Sequence, residues 1–215
     1  MSRLLLSGVL VAALAGWIAW DRLTPSHATL RRFDAHAVAR IETAMWRDYY
    51  AHRRLRLFSG LAELLRQQYH LRLWTSWTGA YHAARAAVIF QRGHRRQDYE
   101  QALPEIRAFY RVIRASSDVP FDVETVSRRE LEWWIIHRER ERHAPGDLPQ
   151  AFAALQSAIY GQPAADFTRH AQARADATVI CDQGNAAGGE GATDWNRIAQ
   201  LLDDSWSSLA NAVSR

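Results

Sequence analysis

The sequence predicts an all-α protein: an N-terminal single transmembrane helix followed by a multi-helix bundle of about six to seven helices. Three observations predict it. An uncharged run of 17 residues, Leu4–Trp20, opens the chain, near the lower limit for a helix that spans the hydrocarbon core. Beyond it, apolar residues recur at three- and four-residue intervals. No stretch shows a convincing strand pattern. Residues 1–22 are expected to form the membrane anchor, 23–28 a linker, and 29–215 the bundle, with a flexible Gly-rich loop at 183–193.

In the anchor, Trp17 and Trp20 sit at the distal end, where amphipathic rings favour the interface. A secretory signal peptide is the competing reading, because Ala13-Leu14-Ala15 offers a small-x-small cleavage site. Cleavage there would leave an apolar terminus from Gly16 to Trp20, so the anchor is preferred and the expected location is the cell membrane. The flanks give opposite orientation signals. A short basic N-terminus tends to stay in the cytoplasm, whereas Arg22, Arg31 and Arg32 outnumber Arg3 on the other side.

After Pro25, Ser26 or Thr29 is placed to cap the first bundle helix. Its stripe runs Leu30, Phe33, Ala37, Ile41, Ala44 or Met45, and Tyr49. Glu42, Trp46, Tyr49 or Tyr50, and Arg53 form the adjacent stripe. Glu42 therefore borders the core and is expected to pair with an arginine from elsewhere in the bundle. Ser59-Gly60 is the expected break before the next helix, which carries Leu61, Leu64, Leu65, Tyr69 and Leu73. A pause or kink is expected at Thr78-Gly79. The small residues around His82 would let helices approach closely. Gly93 lies in a basic turn and Asp98 is positioned to cap the next helix; Pro104 either kinks the first turns of a helix starting at Tyr99 or occupies the first turn of one beginning near Ala102.

The central helix is expected from Asp122, a good N-cap, toward Pro145-Gly146. Val123, Val126, Glu130, Trp133 and His137 share one face. Trp134 points about 100° away from Trp133, so the helix is expected to pack on two sides. Glu130 is then expected to pair with an arginine, and His137 to bond a backbone carbonyl or sit at the rim. Trp46, Tyr49, Tyr50, Trp133 and Trp134 form the expected buried polar and aromatic core.

Asp147 is positioned to cap the next helix and Gly161 to end it. A weaker helix covers Ala164–Cys181, with Phe167, Ala171, Ala175 and Val179 inward and Asp166, Arg169, Arg174 and Asp176 outward. Thr193 is positioned to cap a last helix whose seam is Trp195, Ile198, Leu202, Trp206, Leu209 and Val213.

The chain has 215 residues, nine tryptophans, and 27 basic residues that are all arginine. Arginine forks suit carboxylates and phosphates. The net charge is only +4, which by itself gives no argument for nucleic acid. One cysteine, Cys181, excludes an internal disulfide. No Walker-type loop, nucleophile elbow, dinucleotide fingerprint or His-Glu-x-x-His is present, and no Glu-x-x-His occurs of the kind that dimetal bundles use.

The expectation is thus a membrane-anchored binding or scaffold protein rather than an enzyme. It would meet the membrane through Leu4–Trp20 and a protein partner through its bundle, and no cofactor is assigned. The alternative is a metal- or small-ligand-binding bundle in which Glu42, His82, Glu130 and His137 converge. A basic patch of Arg53, Arg54, Arg56, Arg92, Arg95 and Arg96 offers contact with anionic lipid.

Overall fold

The structure, a computed structural model, describes residues 2–24, 29–186, 189 and 191–214. Among them it is all-α, with α1 Ser2–Leu23, α2 Ala35–Tyr50, α3 Arg54–Tyr69, α4 Leu73–Arg92, α5 Arg96–Glu100, α6 Leu103–Ala115, α7 Val123–Arg138, α8 Asp147–Tyr160, α9 Thr168–Ala186 and α10 Ala192–Val213. Two 3₁₀ turns, Arg140–Arg142 and Ala164–Phe167, precede α8 and α9. The bundle is more finely divided than the six or seven helices expected.

Each long helix packs on the next. The sequence of contacts runs α2, α3, α4, α6, α7, α8, α9, α10, and α10 closes back on α2. The eight helices therefore form a closed ring. Short connections between consecutive helices make such neighbour-to-neighbour packing the simplest arrangement. The core fills the interior, with Val38, Leu65, Ile106, Val126, Phe152, Phe167, Leu202 and Leu209 almost wholly buried.

The breaks lie where left-handed histidines stand. His52 and His70 adopt φ of 55° and 53°, and His70 is the C-cap of α3. The helix runs straight through Ser59-Gly60 instead. A Cβ at Gly60 would lie 2.7 Å from Met45 Cγ, so this glycine serves the close approach of α2 and α3. Gly79 likewise sits unbroken within α4, where a Cβ would meet Leu65 Cδ1 at 3.0 Å. In both cases the glycine answers a packing need that local sequence does not reveal.

Several local expectations stand. Asp122 accepts from Thr125 N at 2.8 Å to cap α7. Pro104 lies in the first turn of α6. Gly161 closes α8 at φ 68°, the left-handed region that suits glycine. The α10 seam is buried from Ile198 to Val213. Others shift. Asp34, not Ser26 or Thr29, caps α2, accepting from Ala37 N; Ser26 lies outside the described residues. The buried face of α2 is Val38, Ala39, Glu42 and Thr43, rotated from the expected stripe. Of the expected loop at 183–193, residues 183–186 belong to α9 and residues 192–193 to α10, and the rest lies mostly outside the described residues. The same holds for the linker at 25–28.

Helix α1 meets the ring chiefly on α4, at the start of that helix. Residues 7–17 are exposed. At its other end Asp21 is 4% exposed. Its carboxylate accepts from Thr75 N at 3.0 Å and from Thr75 Oγ1 at 3.3 Å. Thr75 is in the first turn of α4, so Asp21 supplies from α1 the cap that Arg72, the residue at the N-cap position, does not provide. The Trp17 ring meets Trp74 edge-on at 5.7 Å, and the Arg72 guanidinium stands 4.0 Å over Trp20. Among the described residues no helix is long and apolar enough to cross a membrane.

Asp21→Ala is expected to lower stability by about 1 kcal/mol, the usual cost of a lost cap, with Asp21→Asn retaining most of it. Thermal unfolding of the full chain in a non-ionic detergent checks this.

Candidate functional site

Inside the ring lies a cavity of about 300 Å³ to which all eight ring helices contribute. Most of its wall is aliphatic or aromatic. Into it converge five titratable side chains: Glu42 from α2, Tyr69 from α3, Tyr110 from α6, Glu130 from α7 and Arg174 from α9.

Glu42 is 5% exposed and sits on the inner face of α2 because Val38, Ala39 and Thr43 flank it there. Arg174 meets it with both terminal nitrogens, Nη1 at 2.9 Å from Oε2 and Nη2 on Oε1. The indole of Trp206, on α10, donates to Oε2 at 2.6 Å. The Arg174 guanidinium also lies 5.6 Å over Phe152 and 5.7 Å over Trp206. Burial works against its charge, but the Glu42 carboxylate outweighs that and raises its pKa. This bidentate fork is the geometry for which arginine suits a buried carboxylate.

Glu130 is bound differently. Tyr110 Oη donates to its Oε2 at 2.7 Å and Trp134 Nε1 to its Oε1 at 2.9 Å. No arginine reaches it within ion-pair distance among the described residues. Burial raises its pKa, opposed by the donors around it and by the more distant charge of Arg174. Burial also drives the phenols of Tyr69 and Tyr110 well above their ordinary range, helped by Glu130, so both stay neutral. The indole of Trp133 lies near this carboxylate, yet its Nε1 is buried without a hydrogen-bond partner.

The two adjacent tryptophans of α7 line a second space as well. On their other side is an open groove of about 700 Å³, bordered by Tyr49, His94, Arg138, Arg140 and Arg142. There His137 Nε2 lies 3.0 Å from Asp182 Oδ2, and Arg140 donates to the same oxygen at 2.6 Å. Trp133 and Trp134 therefore stand between groove and cavity.

The four residues expected as metal ligands fall in three places. Glu42 and Glu130 face the cavity. His137 is in the groove. His82 binds Glu105 at 2.7 Å between α4 and α6, beside Arg85. Among the described residues no group of three or more His, Cys, Asp or Glu side chains is placed to hold a metal ion. The arginine expected for Glu42 is present. The one expected for Glu130 is replaced by a phenol and an indole, and His137 pairs with a carboxylate at the rim instead of a carbonyl. Arg174, expected outward, points in, where it meets Glu42 and the Phe152 ring.

Of the expected aromatic core, Trp133 and Trp134 border the cavity. Trp46 and Tyr50 pack, half-buried, on the smaller α9–α10 cluster, and Tyr49 is largely exposed. The basic patch is partly neutralised: Arg53 pairs with Asp48 at 3.5 Å, Arg95 with Asp98 at 3.8 Å, and Arg96 with Glu132 at 2.7 Å. Arg54, Arg56 and Arg92 are exposed.

Sequence reasoning missed His170. It is 1% exposed. Its Nδ1 donates to Ser205 O at 3.1 Å, and the Ser205 hydroxyl donates to the His170 carbonyl at 3.0 Å. Its Nε2 is unpartnered. Burial first, and then the Arg174 charge, push the imidazole down to about 3.

The chain matches no known protein family, curated protein or solved structure.

Two outcomes follow for stability. Glu42→Ala leaves the Arg174 charge buried and unpaired, and is expected to cost about 3–5 kcal/mol in urea unfolding. The double replacement Glu42→Leu with Arg174→Met should recover most of that loss. For His170, the unfolded chain takes up a proton near pH 6.5 that the folded state refuses until about pH 3. Stability should therefore fall as pH drops through that window, by up to about 1.4 kcal/mol per pH unit from this group. His170→Gln should remove that part of the slope, whatever it does to absolute stability. Urea unfolding at pH 7, 6, 5 and 4 reads it, and an unchanged slope would refute the neutral buried imidazole.

Proposed function

We propose that this chain is a single-pass membrane-anchored helical binding protein, in which α1 enters the bilayer and holds at its surface a bundle that receives a small molecule in its central cavity. The observation that carries the anchor is where the exposed apolar surface lies. Seven large apolar side chains of α1, from Val9 to Leu23, are exposed, against only Tyr49, Leu55, Tyr81 and Val88 elsewhere among the described residues. Water penalises such a concentrated apolar surface, and a lipid phase relieves it. The 17 uncharged residues of Leu4–Trp20 would extend ~26 Å as a helix, at ~1.5 Å per residue, and modest thinning of the bilayer accommodates the shortfall. Trp17 and Trp20 then fall at the interface beside the bundle.

The same distribution favours a small ligand over a broad protein-docking surface. Of the four exposed apolar side chains of the ring, Tyr49 is on α2, Leu55 on α3, and Tyr81 and Val88 on α4, a scatter ordinary for a soluble face. The cavity, in contrast, combines an apolar wall with a few convergent polar groups, the usual character of a ligand site. The basic patch lies at the N-terminus of α3 and the C-terminus of α4. Helix α1 docks at the opposite end of α4, so the patch is directed away from the bilayer that α1 would enter.

Flotation of the full chain with lipid vesicles tests the anchor. The wild type should float, and Leu10→Arg should weaken partition by roughly 100-fold, given ~2.5–3.5 kcal/mol for a charge at the middle of an inserted helix. A wild-type chain that stays in the aqueous fraction sinks the anchor.

A further inference from the structure

We propose that the central cavity binds a small monocation with an apolar body, a protonated or quaternary amine, whose charge is met by Glu130. The proposal deepens the reading of the cavity as a ligand site and rests on it.

The charges lining the cavity do not balance. Two carboxylates, Glu42 and Glu130, face one guanidinium, Arg174. Arg174 is committed to Glu42 through both terminal nitrogens. Glu130 is left with two neutral donors, Tyr110 and Trp134, which stabilise a carboxylate but do not neutralise it. An ionised Glu130 therefore leaves the cavity with one uncompensated negative charge in a poorly solvated place, and a bound monocation removes that cost. An anion would meet the opposite situation, because the one cation is already paired.

The wall suits an organic cation better than a metal ion. Trp133, Trp134, Trp206, Phe152, Tyr69 and Tyr110 surround the space, and aromatic faces attract ammonium groups through their quadrupoles. A metal ion would need further oxygen or imidazole ligands beside Glu130, and no such group of three is present among the described residues. A volume of about 300 Å³ is at the small end of ligand cavities. Entry would pass between groove and cavity, where Trp133 and Trp134 form the dividing wall.

Binding should depend on pH through Glu130. The titratable groups that face it are Tyr110 from α6, Tyr69 from α3 and Arg174 from α9, with Glu42 from α2 tied to Arg174; α4, α8 and α10 contribute no titratable lining residue. The phenols stay neutral and the guanidinium charged, so the carboxylate is the group that changes. Protonating it as pH falls through its raised range removes the counter-charge.

The experiment follows tryptophan fluorescence of the full chain in a non-ionic detergent during titration with three probes of similar size. Benzyltrimethylammonium is a cation at every pH, 2-phenylethanol is neutral, and phenylacetate is an anion at pH 7. The expected order is cation first, the neutral probe about tenfold weaker or more, and the anion weakest. Glu130→Gln, which keeps the shape and one of the two acceptor oxygens while removing the charge, should weaken the cation by about tenfold or more and change 2-phenylethanol binding far less. Cation affinity in the wild type should also fall on acidification. Equal binding of cation and neutral probe, or a cation affinity indifferent to Glu130→Gln, overturns the charge assignment while leaving a ligand cavity. Failure of all three probes to bind overturns the ligand reading of the cavity as well.

Discussion

The ion pair between Glu42 and Arg174 is the constraint on which the interior depends. It joins α2 to α9, and the Trp206 indole brings in α10. Helix α10 closes the ring on α2, so the pair sits beside that seam. Two charges taken out of water repay their desolvation only when geometry is good and the remaining lone pairs are satisfied. Here the fork is bidentate, one oxygen takes an additional indole donor, and two aromatic rings flank the guanidinium. Such a pair adds little net stability over an apolar replacement. It does penalise any packing of α9 against α2 that separates the charges.

Once that pair is made, Glu130 is the odd carboxylate. Its solution is a set of neutral dipoles: a phenol from α6 and an indole one turn ahead on its own helix. That arrangement tolerates either protonation state. A protonated acid keeps both contacts, and an ionised one gains from them. The cavity is thus poised between a neutral interior and one with a single negative charge, and the choice is left to pH and to whatever occupies the space.

The tryptophans of α7 connect this interior to the outside. Because they are adjacent, they point about 100° apart, and the helix must be covered on two sides. One side is the core, where Trp133 stacks against Phe152 at 4.8 Å. The other is the groove that holds His137, Asp182 and Arg140. The molecule also has two unlike ends. One carries α1 with its buried Asp21 cap and its apolar surface. The other carries the exposed arginines Arg54, Arg56 and Arg92.

The sequence alone determined the all-α class, the apolar N-terminal run, the Asp122 and Gly161 boundaries and the buried seam of α10. All of these rest on local chemistry: the 3.6-residue period, a side-chain oxygen that caps free backbone N–H groups, and the low cost of φ > 0 at glycine. It also marked Glu42 as needing an arginine, since a carboxylate at the edge of a core face requires a partner. Only the tertiary structure decided which arginine. Arg174 lies 132 positions away on a helix rich in alanine, where small side chains on all sides erase the amphipathic signal that would have pointed it inward. The same holds for Gly60 and Gly79, read locally as breaks but required by the approach of a neighbouring helix, and for the cavity itself. A space enclosed by eight helices is a property of how they meet, and no single stretch of chain encodes it.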